Sequence, residues 1–424
     1  MNRAILNKQM SWVKLLGKFI SIQLLVQCTG FASGILLIRS LSKQEYAFFI
    51  LANALQGSMN VLANSGITSA LSAIGGNVWQ DRNRFGELIN TAMKWRRCLA
   101  LVSIVVVVPI MLQLLSVNGA SLGYALILTL GILIELHFYL RTGVFQVVPR
   151  LQSKALSLQK IELMSGISRM AILFPALNLY SNAAIGIFSS AFASGVKDFY
   201  LSRWVNKAVN LNAPTNTNDH KEIVGFVKNQ SLYTIFYCIQ GPLTIFLIGL
   251  FGNVESVAEV GAIGRLGVIF AVITSVASNL ISPSFSRTFC KQEIVKKYAL
   301  VITFYLSMLI FIMPLSVVFS EQIIWILGAK YGALSNYVTL AIAASVLNSL
   351  IGTLWTINVS KGWVKGSWAF IPATITTQIF ALFYCDISSI SGILIFNLIS
   401  LVPSVFLNIY LSYCGWTQIS KASI

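Results

Sequence analysis

Runs of about twenty apolar residues recur along the whole chain, each closed by a cluster of polar or basic residues. A helix needs about 20 residues to cross the hydrocarbon of a bilayer. The pattern therefore predicts twelve spanning helices, at roughly 19–38, 46–71, 98–116, 121–140, 163–180, 183–201, 229–251, 257–281, 298–319, 335–357, 366–385 and 390–413. The longest polar connector, Arg203 to Gln230, follows the sixth run. It divides the chain into an N-terminal six-helix lobe (1–202), a cytoplasmic connector (203–228) and a C-terminal six-helix lobe (229–424). A faint echo links the halves: SIQLLVQ at Ser21–Gln27 parallels TIFYCIQ at Thr234–Gln240, and EYAFF at Glu45–Phe49 parallels EVGAI at Glu259–Ile263. Duplicated six-span bundles place a binding site between their repeats. The expected fold is all-α and polytopic, with about twelve transmembrane helices in two six-helix lobes around a central cavity.

Phase along the helices locates the expected wet faces. In the second span Gln56, Asn60, Asn64 and Thr68 all lie within about 60° of Asn53 at 100° per residue. The first span aligns Gln23, Gln27, Gly30 and Gly34; the seventh aligns Asn229, Tyr233, Tyr237, Gln240 and Thr244; the tenth aligns Ser345, Asn348, Ser349, Gly352 and Thr356. Small and polar residues also glue helices together in lipid, and for any one span that reading competes. Four such stripes favour a shared hydrophilic cavity lined by Gln27, Asn60, Asn64, Tyr237 and Gln240.

The fourth span, GILIELHFYLRTG at Gly131–Gly143, carries a glutamate and a histidine. A charge in hydrocarbon costs several kcal/mol, so Glu135 is a candidate for function. It shares a face with Tyr124, Gly131, Tyr139 and Thr142, whereas His137 points about 160° away and reads as a packing residue. Two arginines also fall inside spans, Arg169 in the fifth and Arg265 in the eighth. Two guanidinium groups against one carboxylate leave a cationic interior, and guanidinium binds phosphate through paired hydrogen bonds. Arg169 is shallow enough to snorkel to the interface, and Lys197 and Asp198 read as an interfacial pair.

Composition agrees with this picture. Hydrophobic residues make up 56% of the 424 and charged residues 10%, with a mean hydropathy of +0.77; a soluble domain carries roughly 25% charged residues. The opening MNRAILNKQMSWVKLLGKF reads as a basic amphipathic lead-in on the membrane surface, not as a cleaved signal peptide. The net charge of +17 would suit nucleic acid, but its distribution argues against that partner. Every second loop is basic, and that side holds 25 of the 30 lysines and arginines. By the positive-inside rule both termini are cytoplasmic. The six scattered cysteines form neither a metal-ligand spacing nor a disulfide framework, and no cofactor or metal is expected.

Two stretches carry a resemblance. RSLSKQEYAFFILANALQGSMNVLANSGITSAL (Arg39–Leu71) resembles the first hairpin of Wzx-type polysaccharide flippases, of the multidrug/oligosaccharidyl-lipid/polysaccharide (MOP) exporter superfamily. EVGAIGRLGVIFAVITSVASNLISPSFSR (Glu259–Arg287) is similar to their second-half hairpin, although Ala47 stands where such hairpins usually have glycine. The resemblance implies transfer of an undecaprenyl-pyrophosphate-linked sugar repeat, such as an O-antigen unit, to the periplasmic leaflet of the bacterial inner membrane. Membrane lipids, a polysaccharide polymerase and a chain-length regulator would be its partners. Arg169 and Arg265 would meet the pyrophosphate, and Glu135 would couple transport to an ion or pair with Arg169. A multidrug extrusion antiporter of the same superfamily is the alternative; a cationic drug would favour an acidic cavity. A membrane enzyme such as a polysaccharide polymerase needs a polar catalytic set, and none stands at usable spacing.

The charge analysis makes a topological prediction. In a background free of native cysteines, cysteines at Asn118, Asn253 and Gly332 react with an impermeant thiol reagent from outside the cell, and one at Asn216 does not. Labelling at Asn216 in intact cells would refute the twelve-span arrangement.

Overall fold

The computed structural model describes residues 2–152, 154–277, 281, 285 and 290–422, and all regular structure among them is helical. The first half contains α1 (Asn2–Ser40), α2 (Lys43–Asn64), α3 (Ile67–Val78), α4 (Arg82–Val117), α5 (Leu122–Phe145), the short α6 (Val147–Leu151), α7 (Ala155–Leu179) and α8 (Ala183–Ala208). The second contains α9 (Thr217–Gln240), α10 (Leu243–Phe251), α11 (Val254–Gly264), a 3-10 segment (Arg265–Phe270), α12 (Ala271–Val276) and α13 (Lys291–Val318). It continues through α14 (Ser320–Leu327), a 3-10 segment (Ala329–Tyr337), α15 (Val338–Ser360), α16 (Phe370–Tyr384) and α17 (Ile390–Ala422). Eight helical stretches are long and apolar enough to cross a membrane, nine when the bent pair α9–α10 is one span. The other three expected spans coincide with α7, α8 and α16. Charge interrupts the first two, and the third is 15 residues long. The chain is a multi-pass helical membrane protein.

Three expected spans are broken. The second, expected to run through 46–71, stops after Asn64, where Gly66 takes φ +81. A Cβ there would stand 3.0 Å from the Phe226 carbonyl oxygen, so both the backbone conformation and the approach of α9 require glycine. The seventh bends by 41° between α9 and α10. Pro242 has no N–H to give the Cys238 carbonyl four residues earlier, and in lipid that carbonyl needs another donor. Ser58 of α2 supplies it, its hydroxyl donating to the Cys238 oxygen at 2.7 Å. The eighth span changes to 3-10 geometry at Arg265 and resumes as α12. The proline, serine and arginine of the Pro-x-x-Ser-Arg close, at 283, 286 and 287, lie outside the described residues, as do the side chains of the lead-in through position 16.

The chain packs into two compact units, Met1–Ala258 and Glu259–Ile424. The first extends past the connector because α9 lies on α2, α3 and α4, and α10 on α2 and α4. Its packing is led by α5 on α8, α2 on α4 and α1 on α7. Asn118 is buried at 3% exposure, its amide donating to the Leu114 and Gly249 carbonyls at 2.8 and 3.0 Å. A reporter cysteine at 118 is therefore shielded on either side of the membrane, which leaves Asn253 and Gly332 as the outer probes. The segment entering α9 is laced to α4. Asn90 donates to the Leu211 and Ala213 carbonyls, Asn216 donates to Glu87 at 2.8 Å, and Arg84 grips the buried Asp219 with both terminal nitrogens.

In the second unit α15 packs against α13, α17 and the Arg265–Phe270 segment. The buried Tyr305 hydroxyl lies 2.8 Å from Ser349 Oγ and 2.7 Å from Thr353 Oγ1. Asn358 donates to the Asn408 carbonyl at 3.0 Å and accepts from Ser412 at 2.8 Å. Polar residues of the tenth span thus serve helix–helix packing here.

The bend gives a direct test. Ser58→Ala leaves the Cys238 carbonyl without its donor and lowers thermal stability by about 1–2 kcal/mol. Pro242→Ala restores the backbone N–H, so the Ser58→Ala penalty shrinks in that background. An equal penalty in both backgrounds would mean that Ser58 does not serve the freed carbonyl.

Candidate functional site

The first unit gathers polar side chains around Glu135. The α5 face predicted from phase leads from Tyr124 at its N-terminal end through Glu135 to Tyr139 and Thr142. At the first end Glu45 accepts from the Tyr124 hydroxyl and, at 2.6 Å, from the Ala183 N–H that opens α8. A carboxylate at a helix N-terminus meets the positive end of the helix dipole, and this contact ties α2, α5 and α8 together. Three turns along α5, Glu135 lies beside Gln56 of α2 and in the field of Arg169 of α7. Ser194 of α8 donates to Glu135 Oε1 at 3.4 Å, and the adjacent Ala193 carbonyl accepts from Ser165 of α7 at 2.7 Å. The second carboxylate oxygen, Oε2, is buried and accepts no hydrogen bond. Asn60, one turn beyond Gln56 on α2, likewise has a buried, unbonded amide oxygen.

The structure therefore brings Glu135 and Arg169 into one cluster and distributes the remaining candidates. Asn53 is tied to its own helix by a 2.7 Å bond to the Phe49 carbonyl. Asn64 accepts from Thr68 across the α2–α3 break at 2.6 Å. Gln23, in phase with Gln27, is buried and takes a 3.0 Å hydrogen bond from Gln159 of α7, so part of the α1 stripe is interhelical packing. Gln27 itself is partly exposed. Tyr237 is 46% exposed and Gln240 ends α9 at the bend. Arg265 belongs to the second unit, at the first position of the 3-10 segment.

Two charge pairings differ from the expectation for Lys197 and Asp198. Lys197 bonds Glu162 of α7 at 3.1 Å, and Asp198 pairs with Arg141 of α5 at 3.3 Å. Neighbours in a helical sequence point about 100° apart, so each reaches a different helix. Arg141 and Asp198 lie in an open groove of about 720 Å³ between α5 and α8, whose walls include Phe138, Phe192 and Phe199. His137 is exposed, its ring edge-on to Phe138 at 5.6 Å, and it acts electrostatically on Asp198. Its position is on the far side of α5 from Glu135, as phase predicts.

Sequence reading missed Arg96. Counted with Arg97 as a basic loop residue, it is 1% exposed, with its guanidinium 5.1 Å from the centre of the Tyr139 ring. The signal was present in phase. Ala92, Ala100, Ser103 and Val107 continue one buried face of α4 through position 96, while Arg97, one step around the helix, is exposed.

No family model and no curated relative matches the chain. Solved structures do. One is an inward-facing multidrug resistance MATE family transporter of the MOP superfamily, with TM-score 0.67 and 13% identity over 96% of this chain and 99% of the other. The chain shares the fold of that structure. Lipid II flippase MurJ in an inward closed conformation shares it, with TM-score 0.70 and 10% identity over 95% and 89% of the two chains. So does a MOP superfamily transporter from Pyrococcus furiosus with a binding pocket of reverse polarity, with TM-score 0.65 and 13% identity over 97% and 96%. At these identities the likeness shows the fold alone.

The Glu135 cluster predicts energetic coupling. In a double-mutant cycle with Glu135→Gln and Arg169→Gln, the two changes are non-additive by roughly 0.5–3 kcal/mol in thermal unfolding. Strict additivity would mean that the carboxylate and the guanidinium do not stabilise each other.

Proposed function

We propose that the protein flips an undecaprenyl-pyrophosphate-linked oligosaccharide, an O-antigen or related repeat unit, from the cytoplasmic to the periplasmic leaflet of a bacterial inner membrane by alternating access. The observation that carries this reading is the charge balance within the spanning helices of the first unit. Arg96 is buried without a carboxylate partner, and Arg169 acts on Glu135. Asp198 and Glu162 have cationic partners of their own in Arg141 and Lys197, and a cationic interior suits a pyrophosphate cargo. The likeness to a lipid II flippase supports a lipid-linked cargo. The likeness to multidrug transporters supports extrusion of drugs as the second reading, which the same charge balance disfavours for cationic compounds.

In this proposal Arg169 and Arg265 meet the phosphates, while Asn60, Asn64, Gln27, Gln240 and Tyr237 meet sugar hydroxyls. The connector at 203–228 separates the two six-span halves, and both termini are cytoplasmic. Glu135, with one carboxylate oxygen unbonded, is the coupling group. The protein works as a carrier beside a polysaccharide polymerase and a chain-length regulator, with membrane lipids around it.

The test is leaflet-resolved measurement of lipid-linked repeats in a deletion strain complemented with variants. Loss of the protein leaves repeats on the cytoplasmic leaflet. Arg265→Ala fails to restore export, whereas Arg265→Lys, which keeps the charge without the planar fork, restores part of it. Glu135→Gln reaches the membrane in normal amount and loses the response to a pH gradient. Normal leaflet distribution in the deletion strain, together with new drug sensitivity, would replace this reading with drug extrusion.

A further inference from the structure

Among the described residues three ionised side chains are buried below a tenth of their surface: Arg96, Asp198 and Asp219. Asp198 has Arg141 and Asp219 has Arg84. Arg96 has no carboxylate. The only ionisable group acting on it is the phenol of Tyr139, and its Nε and Nη1 make no hydrogen bond. An uncompensated buried ion costs several kcal/mol, and the chain has a ready way to avoid that cost. An arginine at this depth snorkels to the interface, as the exposed Arg97 beside it does. Topology needs only a basic residue at the end of the span, and Arg97 supplies one. The burial of Arg96 is therefore explained neither by topology nor by an ion pair.

The surroundings are built to hold the guanidinium. Ala92 and Ala100, one turn to either side on α4, are buried and small. On α5 the facing residue is Gly143, where a Cβ would overlap the guanidinium nitrogens. The Tyr139 ring covers one face at 5.1 Å. Its phenol acts on the guanidinium and carries an O–H that can donate. The result is a planar cation with two unused donor nitrogens and a phenol beside it. Guanidinium is the side chain best suited to bind a phosphate oxyanion in a desolvated site, by charge-assisted hydrogen bonds.

We propose that Arg96 and Tyr139 form a phosphate-binding site in the first unit, separate from the Glu135 cluster and filled when α4 and α5 part at Gly143. The guanidinium is enclosed in this structure, so the empty site carries an unpaired charge that phosphate neutralises. The phosphate comes from the lipid-linked cargo, a bulk phospholipid headgroup or free phosphate. The inference rests on the flippase reading only for the first of these sources.

The experiment is thermal unfolding of the purified full-length chain, wild type and Arg96 variants, titrated with inorganic phosphate or pyrophosphate in detergent. Parallel arms use nanodiscs containing undecaprenyl pyrophosphate or phosphatidylglycerol. Wild type is stabilised by at least one of these phosphates, with half-maximal effect shifted roughly tenfold or more in Arg96→Gln and Arg96→Met, and less in Arg96→Lys. Without phosphate, Arg96→Met unfolds at or above the wild-type temperature, because it removes an unpaired buried charge. Stabilisation by pyrophosphate and undecaprenyl pyrophosphate but not phosphatidylglycerol identifies the cargo as the source; the reverse pattern identifies bulk lipid. A response to inorganic phosphate without either lipid identifies a free anion. Each of these supports the site, and each is read without any transport assay, so a failed flippase assignment leaves the result standing. The proposal is overturned if no phosphate stabilises wild type, or if Arg96→Met responds as wild type does. It is also overturned if Arg96→Met and Arg96→Gln both unfold well below wild type without phosphate, since that marks a structural arginine.

Discussion

Hydrocarbon offers no hydrogen bonds, so every polar group placed in it must find its partner within the protein. That constraint makes the chain all-helical, and it also governs each departure from regular helix. Pro242 deprives the Cys238 carbonyl of its donor, and a serine on another helix replaces it. The α2–α3 break is bridged by Asn64 and Thr68 side chains. The Asn118 amide reaches a carbonyl of α10. These bonds fix where helices bend and also which helices lie together. The same Ser58 that satisfies the bend in α9–α10 holds α2 against it, which is part of why the first compact unit continues to Ala258.

Charges obey the constraint more strictly, because an unpaired ion costs more than an unpaired dipole. Glu135 meets Gln56, Ser194 and the field of Arg169, drawing on α2, α7 and α8 to hold one residue of α5. Asp219 and Asp198 each have an arginine. Against this background several valences in the first unit stay unused, among them one oxygen of Glu135, the amide oxygens of Asn60 and Gln159 and two nitrogens of Arg96. The oxygens are open acceptors, and Arg96 is a cation with donors to spare. Such groups lower stability and are the places where a ligand, an ion or a proton gains most by binding.

The same logic separates the polar stripes that looked alike in sequence. Gln23 of α1 is consumed by Gln159, and Ser349 of α15 by Tyr305. Glu135 and Asn60 keep open acceptors. Periodicity identifies a polar face but cannot distinguish a face whose bonds are satisfied by a neighbouring helix from one that awaits a ligand, because both repeat at 3.6 residues.

The sequence by itself determined the span pattern and the all-helical membrane fold, because both follow from local quantities: apolar run length and the obligation of backbone groups to bond within their own segment. It also placed Glu135 and His137 on opposite sides of α5, since helical phase is a local property too. Only the tertiary structure decided the rest. It broke three spans: Gly66 and Pro242 act through a close approach and a backbone conformation that hydropathy does not register, and the third passes into 3-10 geometry at Arg265. It sent Lys197 and Asp198 to different helices. It also distinguished Arg96 from Arg97, which adjacent positions in a basic stretch had made look equivalent. One residue's rotation on α4 turns a charge from water toward Tyr139 and Gly143, and its consequence depends on which residues of another helix stand there. Partnership between residues distant in sequence is set by packing, and packing is decided in three dimensions.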